Sequence, residues 1–261
     1  MQMNRVKKRQ EKVSSGLVVQ DFARYEFKYI LSNRVRQQIE SEIVHFMKYD
    51  GHVHKELNNS YHVCSLYFDS STNEYYYEKI DGIKYRRKYR IRTYGHQPEV
   101  GLPIFFEERV RGNNRTYKHR IPIKFEDIPR FCDSERIIEL RKVFPEVDLV
   151  ERFIFDSLRC RLVPKVKVDY IRHPYTSDFD MNFRLTFDSE LHSTHTGKLF
   201  VNKSVNMIKL SLAGHTILEV KFNRRIPVWF HRILQKNNMQ RISISKFCVA
   251  METTNQVVNL S

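Results

Sequence analysis

The stretch Lys84-Tyr-Arg-Arg-Lys-Tyr-Arg-Ile-Arg92 carries six cations in nine residues, interleaved with tyrosine and isoleucine as in a strand. Successive side chains of a strand point to opposite faces. Lys84, Arg86, Lys88, Arg90 and Arg92 therefore share one face, and Tyr85, Arg87, Tyr89 and Ile91 the other. A face built only of cations is no ordinary core face, because unpaired buried charge is too costly. Either it is solvated, or it lines a cavity that holds a highly charged anion.

The same alternation returns further along the chain. Glu107, Arg109 and Arg111 share a face, Lys118 and Arg120 another, and Glu219 and Lys221 a third. Arg172 closes its own strand, and Arg184 stands between Phe183 and Leu185. The polar positions inside these apolar strands are mainly Arg and Lys, with few carboxylates. If the strands curl into a barrel, the cations converge on one lumen, and a chain of phosphates would offset their repulsion. Arg forks suit that ligand because they bind phosphate oxygens two at a time.

The elements that must position these residues are legible in outline. The chain has 261 residues, 41% hydrophobic, enough for a substantial core. Strands are expected at Arg24–Leu31, Tyr61–Phe68, 83–94, 102–111, 115–124, 163–172, 182–189, 198–208 and 215–223. The turn Gly112-Asn-Asn has hairpin chemistry. Helices are expected from Ser32 or Asn33 to about Lys48, across most of 126–158, from Pro227, and near Ser243–Met251, and a short aromatic helix or loop at Glu74–Ile80. The resulting expectation is an α+β fold: an antiparallel, eight-stranded closed tunnel barrel with peripheral helices. Residues 1–21 read as a flexible basic leader and 22–261 as one tunnel domain. Asp69 and Asp188 read as strand-end turn caps.

Net charge of +15 calls for a polyanionic partner. The four cysteines form no CxxC pair, so a reducing cytoplasm is expected. No apolar run approaches the ~20 residues of a membrane span. The histidine pairs His52/His54 and His192/His195 lack a third ligand at zinc spacing.

Nine segments in order carry a family resemblance. They are Arg24-Tyr-Glu-Phe-Lys-Tyr29, Ser65-Leu-Tyr-Phe-Asp69, Arg90-Ile-Arg-Thr-Tyr94, Phe105-Phe-Glu-Glu-Arg109 and Lys118-His-Arg120, then Pro164 with Tyr170-Ile-Arg172, Arg184-Leu-Thr-Phe-Asp188, Ile217-Leu-Glu-Val-Lys221 and Ser245-Lys-Phe247. The series resembles the VTC-type polyphosphate polymerase domain of the triphosphate tunnel (CYTH-like) superfamily, from about residue 22 to 252. The resemblance implies transfer of the ATP γ-phosphate to the end of an inorganic polyphosphate chain, assisted by Mn2+ or Mg2+. It assigns substrate binding to Lys28, Arg90, Arg92, Arg109, Lys118, Arg120 and Arg184, and catalysis to Arg172, Lys221, Lys246 and Glu219. Glu219 would hold the metal, with Glu107 as a further carboxylate, and Lys246 would reach in at the tunnel mouth.

Two positions depart from the family pattern. The superfamily's ExExK signature is Arg24-x-Glu26-x-Lys28 here, and Arg109 replaces a Lys. Loss of one carboxylate fits the polymerase branch better than the hydrolase branch. The regulatory region and membrane helices of eukaryotic relatives lie outside the resemblance, so a stand-alone soluble domain is expected. The ranked alternatives are a triphosphatase on the same fold and, distantly, a nucleic-acid binder. No nucleic-acid partner is expected, since the cations recur inside barrel strands beside carboxylates. The oligomeric state is not legible.

Overall fold

In the computed structural model the residues described are 18–20, 25–50, 59–95, 97–99, 101–112, 115–177, 179–180, 182–201 and 208–257. The elements run β1 (Val18–Gln20), β2 (Tyr25–Ser32), α1 (Asn33–Ile43), β3 (Lys48–Tyr49), β4 (Tyr61–Asp69), α2 (Glu74–Ile80), β5 (Arg86–Thr93), β6 (Ile104–Gly112) and β7 (Arg115–Ile123). There follow α3 (Ile128–Cys132), α4 (Leu140–Val143), α5 (Asp148–Cys160), β8 (Val163–Thr176), β9 (Arg184–His195), β10 (Lys209–Leu210), β11 (His215–Phe222), α6 (Val228–Lys236) and α7 (Lys246–Thr253).

Among the described residues all eleven strands join one antiparallel sheet, in the order β1-β7-β6-β5-β4-β8-β9-β11-β2, with β10 on β9 and β3 on β8. Eight of them are long, as expected. The expected closure is corrected: the sheet curls through 192° and stays open. Among the described residues the terminal strands β1 and β2 exchange no ladder bonds, and β1 covers the outer side of β7. What lies along β2 instead is the segment before α7, where Ile242 N–H donates to the Lys28 carbonyl at 2.9 Å.

Most of the strands' apolar alternates point away from the curl, while Tyr67, Tyr170 and Ile217 face inward and join Phe247 of α7 in the apolar core. Leu31, Leu185, Phe187, Leu218 and Val220 pack with Ile39 and Ile43 of α1 and Phe230 and Ile233 of α6. Ile91, Phe106 and Tyr89 pack with Phe131 of α3 and Phe153 of α5. Each such side chain contributes about 1.5–3 kcal/mol on burial, so these rows fix which face of the sheet turns inward. A one-residue slip would flip every side chain to the other face. Register shifts at Tyr67/Phe68 and at Asp169/Ile171 add local twist.

Several boundaries differ from expectation. The helix begun by Ser32, whose Oγ accepts from Val35 N–H at 3.4 Å, ends at Ile43 rather than near Lys48. The strand expected at 198–208 is absent over 198–201, and residues 202–207 lie outside the described residues. In compensation β8 and β9 run to Thr176 and His195, well past the expected ends. Of the expected leader, Val18–Gln20 pairs with β7, and the rest lies outside the described residues. Among the described residues no helix is long and apolar enough to cross a membrane.

Candidate active site

The inward alternates of β2, β5, β6, β7, β8, β9 and β11, together with the start of α7, line a cavity of about 470 Å³. Of the cations assigned from sequence, it gathers Lys28, Arg90, Arg92, Arg109, Lys118, Arg172, Arg184, Lys221 and Lys246. Lys88, from the opening cationic run, makes the tenth. Arg120 faces the same way but lies outside the lining, its guanidinium 4.6 Å from the Phe105 ring centroid.

Four carboxylates answer these ten cations. Glu219 is a hub: Oε1 lies 2.7 Å from Lys246 Nζ, and Oε2 lies 3.0 Å from Lys221 Nζ and 3.3 Å from Arg172. Burial works against its charge, yet Lys246, Lys221, Lys28 and Arg172 hold its carboxyl well below the usual range. Asp188, 2% exposed, takes both forks of Arg172 at 2.6 and 2.7 Å and Lys246 Nζ at 2.6 Å. Glu26 meets Arg109 at 3.0 Å and Lys28 at 3.3 Å. Glu107 is fully buried, holding Arg90 Nε at 2.7 Å and Lys118 Nζ at 2.6 Å. Against burial, neighbouring cations lower the pKa of all three.

Ten cations against four carboxylates leave an excess of six positive charges around one cavity. The strain shows in the proton affinities. Burial, reinforced by Arg90 and Arg92 and only partly opposed by Glu107, brings Lys118 down to about 7. Burial lowers Lys221 and Lys88 as well. Arg92 has only neutral partners among the described residues, donating to Ser65 Oγ at 3.0 Å and Tyr170 Oη at 3.2 Å. Burial alone would raise the nearby Tyr67 phenol, but Arg90 and Arg92 bring it down to about 8.

The sequence reading missed Asp188 as a site residue. It is mid-strand in β9 and turned inward, not a turn cap; its spacing of four from Arg184 already put both on one face. Asp69 does cap, accepting from the backbone N–H groups of Ser70, Tyr75 and Tyr76. Lys246 also departs from expectation: it lies buried between Asp188 and Glu219 instead of at the mouth.

A divalent ion was expected on Glu219 and Glu107. Among the described residues no cluster of three or more His, Cys, Asp or Glu is placed to hold a metal. The carboxylates that line the cavity are Glu219 and Glu26, on neighbouring strands. Lys28 Nζ stands between them, 3.7 and 3.3 Å away, so a cation already occupies that ground. This donor set fits an ion that takes one or two carboxylates and draws its other ligands from phosphate and water. Glu107 sits behind Arg90 and Lys118, off the lining.

The inward-facing cationic lumen on an antiparallel sheet is what the sequence resemblance implied, whereas the closed barrel it also implied is here an open curl. The chain belongs to the VTC domain family, whose model matches residues 23–255. Among solved structures it is similar to a Bacillus halodurans protein designated an adenylate cyclase, with TM-score 0.47 and 12% identity over 86% of this chain and 96% of that one. It is also similar to a Hippeastrum protein, designated an adenylyl cyclase and described as having a dominant triphosphatase activity. There the TM-score is 0.50 and the identity 10%, over 88% of this chain and 95% of that one. No curated protein matches the sequence.

Proposed function

We propose that the chain is an ATP-dependent polyphosphate polymerase, transferring the ATP γ-phosphate to the end of a growing inorganic polyphosphate chain within this cavity. The observation that carries the reading is the six-charge excess around one lumen in a VTC-family chain. Such an excess favours a ligand of high negative charge density in that space.

Phosphoryl transfer asks for positioning and charge stabilisation more than covalent help. The terminal phosphate of the chain is the nucleophile, already ionised at neutral pH, so no general base is required. Lys28, Arg90, Arg92 and Arg184 bind the nucleotide phosphates. Arg172 is oriented by Asp188 and Glu219, and with Lys221 and Lys246 it offsets charge developing on the transferred group. Lys118, held by Glu107, aligns the acceptor. Mn2+ or Mg2+, when bound at Glu219 and Glu26, supplies further neutralisation of the phosphates.

A hydrolytic reading, triphosphatase, draws on the same pair of cavity carboxylates, since Glu26 and Glu219 would serve metal-assisted attack by water equally well. Product analysis separates the two. Incubation of the chain with ATP and Mn2+ is expected to give acid-labile polymer; free phosphate alone would refute the polymerase and favour the hydrolase.

A further inference from the structure

Lys88 and Arg109 border both the cavity and a depression next to it. That depression is also bordered by Lys79, Arg86, Arg111 and Arg241, and it shares Lys79, Arg86 and Arg111 with an adjoining shelf that Lys84 borders too. Glu26 is the sole carboxylate lining the first among the described residues, and none lines the second. Glu78 interacts with Arg86 and Lys88 from outside the lining.

The ladder makes this rim costly. Arg86 lies directly opposite Arg111, Lys88 opposite Arg109, and Arg109 opposite Lys118. Like charges placed directly across a sheet destabilise it. Burial, then Arg111, depresses the proton affinity of Arg86, and burial does the same to Lys79, joined by Arg86 and Arg111. Even so, the rim is held in place. The Tyr85 ring packs so close to Gly112 that an added Cβ there would meet it at 2.8 Å, clamping the α2–β5 turn against the β6 end. Arg86 Nη1 donates to the Ile83 carbonyl at 2.6 Å.

We propose that Lys79, Lys84, Arg86 and Arg111 form a second phosphate subsite, outside the reaction cavity, that grips the extended part of a long inorganic polyphosphate. The subsite rests on the polymerase reading above and adds length selectivity to it: a short phosphate is held by the cavity alone, a long one by cavity and rim together. Chains that outgrow the cavity are therefore retained rather than released.

The test compares tripolyphosphate with long-chain polyphosphate, titrated by calorimetry into the full chain and into Lys79→Ala/Lys84→Ala/Arg111→Ala. Arg86 is left in place because it braces the turn. A partly exposed ion pair is worth up to roughly a fivefold change in affinity, so the triple variant should bind long chains roughly tenfold more weakly or worse. Its tripolyphosphate affinity should hold within about twofold, and its unfolding temperature without ligand should not fall, since repulsion is relieved. Long-chain affinity equal to wild type, or equal losses for both ligands, overturns the subsite while leaving the cavity reading intact. A wild type that binds no tripolyphosphate overturns the cavity reading itself. An RNA oligonucleotide that outcompetes long polyphosphate at the rim would overturn the assignment of ligand.

Discussion

Asp188 gives the sharpest test of how the lumen is built. Asp188→Asn keeps size and one acceptor oxygen but removes the charge that faces Arg172 at 2.6 and 2.7 Å and Lys246 at 2.6 Å. Removing one partner of a buried ion pair costs about 3–5 kcal/mol. At about 2–4 °C per kcal/mol for a chain near this size, the ligand-free variant should unfold about 6–20 °C below wild type. The lumen excess rises from six to seven, however, so a bound polyanion restores the missing negative charge. Tripolyphosphate at one hundred times its Kd stabilises a protein by about 2.7 kcal/mol through binding alone, and the variant should gain more than wild type does. The assay is urea or thermal unfolding with and without tripolyphosphate, paired with calorimetric Kd. Tighter binding with slower turnover is the expected signature, because Arg172 has lost the acid that aims it. A stability deficit of the same size with and without ligand would refute the reasoning.

Glu219→Gln should lower polymer synthesis by about 10²–10³, the usual cost of one electrostatic group in a site; activity equal to wild type in Glu219→Ala would remove the metal assignment. Lys118, brought down to about 7, is neutral above that pH and charged below it. Affinity for tripolyphosphate should therefore fall as pH rises through 7, with proton uptake on binding near neutrality, measured in buffers of different ionisation enthalpy; Lys118→Met should abolish both. The carboxyls of Glu26, Glu107, Asp188 and Glu219 all lie below their ordinary values. Their contribution to stability is complete above the unfolded carboxylate range, near pH 4–4.5, and is lost as pH falls through their lowered folded values. Glu107→Gln should unfold more readily at pH 7 yet lose less on acidification, read by chemical denaturation across pH.

The inward row of cations was readable because strand alternation is local. Arg90, Arg92, Glu219 and Lys221 needed only their own strands to declare which neighbours they share a face with. Pairing is a different matter. That Glu107 serves Arg90 and Lys118, while Glu108, one residue on, serves Arg87 and Arg152 on the far side of the sheet, depends on which strands are adjacent. Asp188 was misjudged for a similar reason: β9 runs on to His195, and an acid taken for a strand end is in fact at its centre. Closure was overestimated because eight alternating strands look alike whether or not the first and last meet.

The unjoined edge between the terminal strands β1 and β2 changes what the lumen can do. In a closed barrel, strand number and stagger set the diameter. Here, among the described residues, the Ile242–Lys28 bridge flanks that edge and the Glu26–Arg109 pair reaches across the bore. We expect the bore to breathe, widening around a metal-laden nucleotide and narrowing on a bare phosphate chain, without breaking a single rung of the ladder. Amide exchange at Ile242 that is fast in the free chain and slowed by polyphosphate would bear this out; exchange as slow as in β8 would argue for a rigid ring.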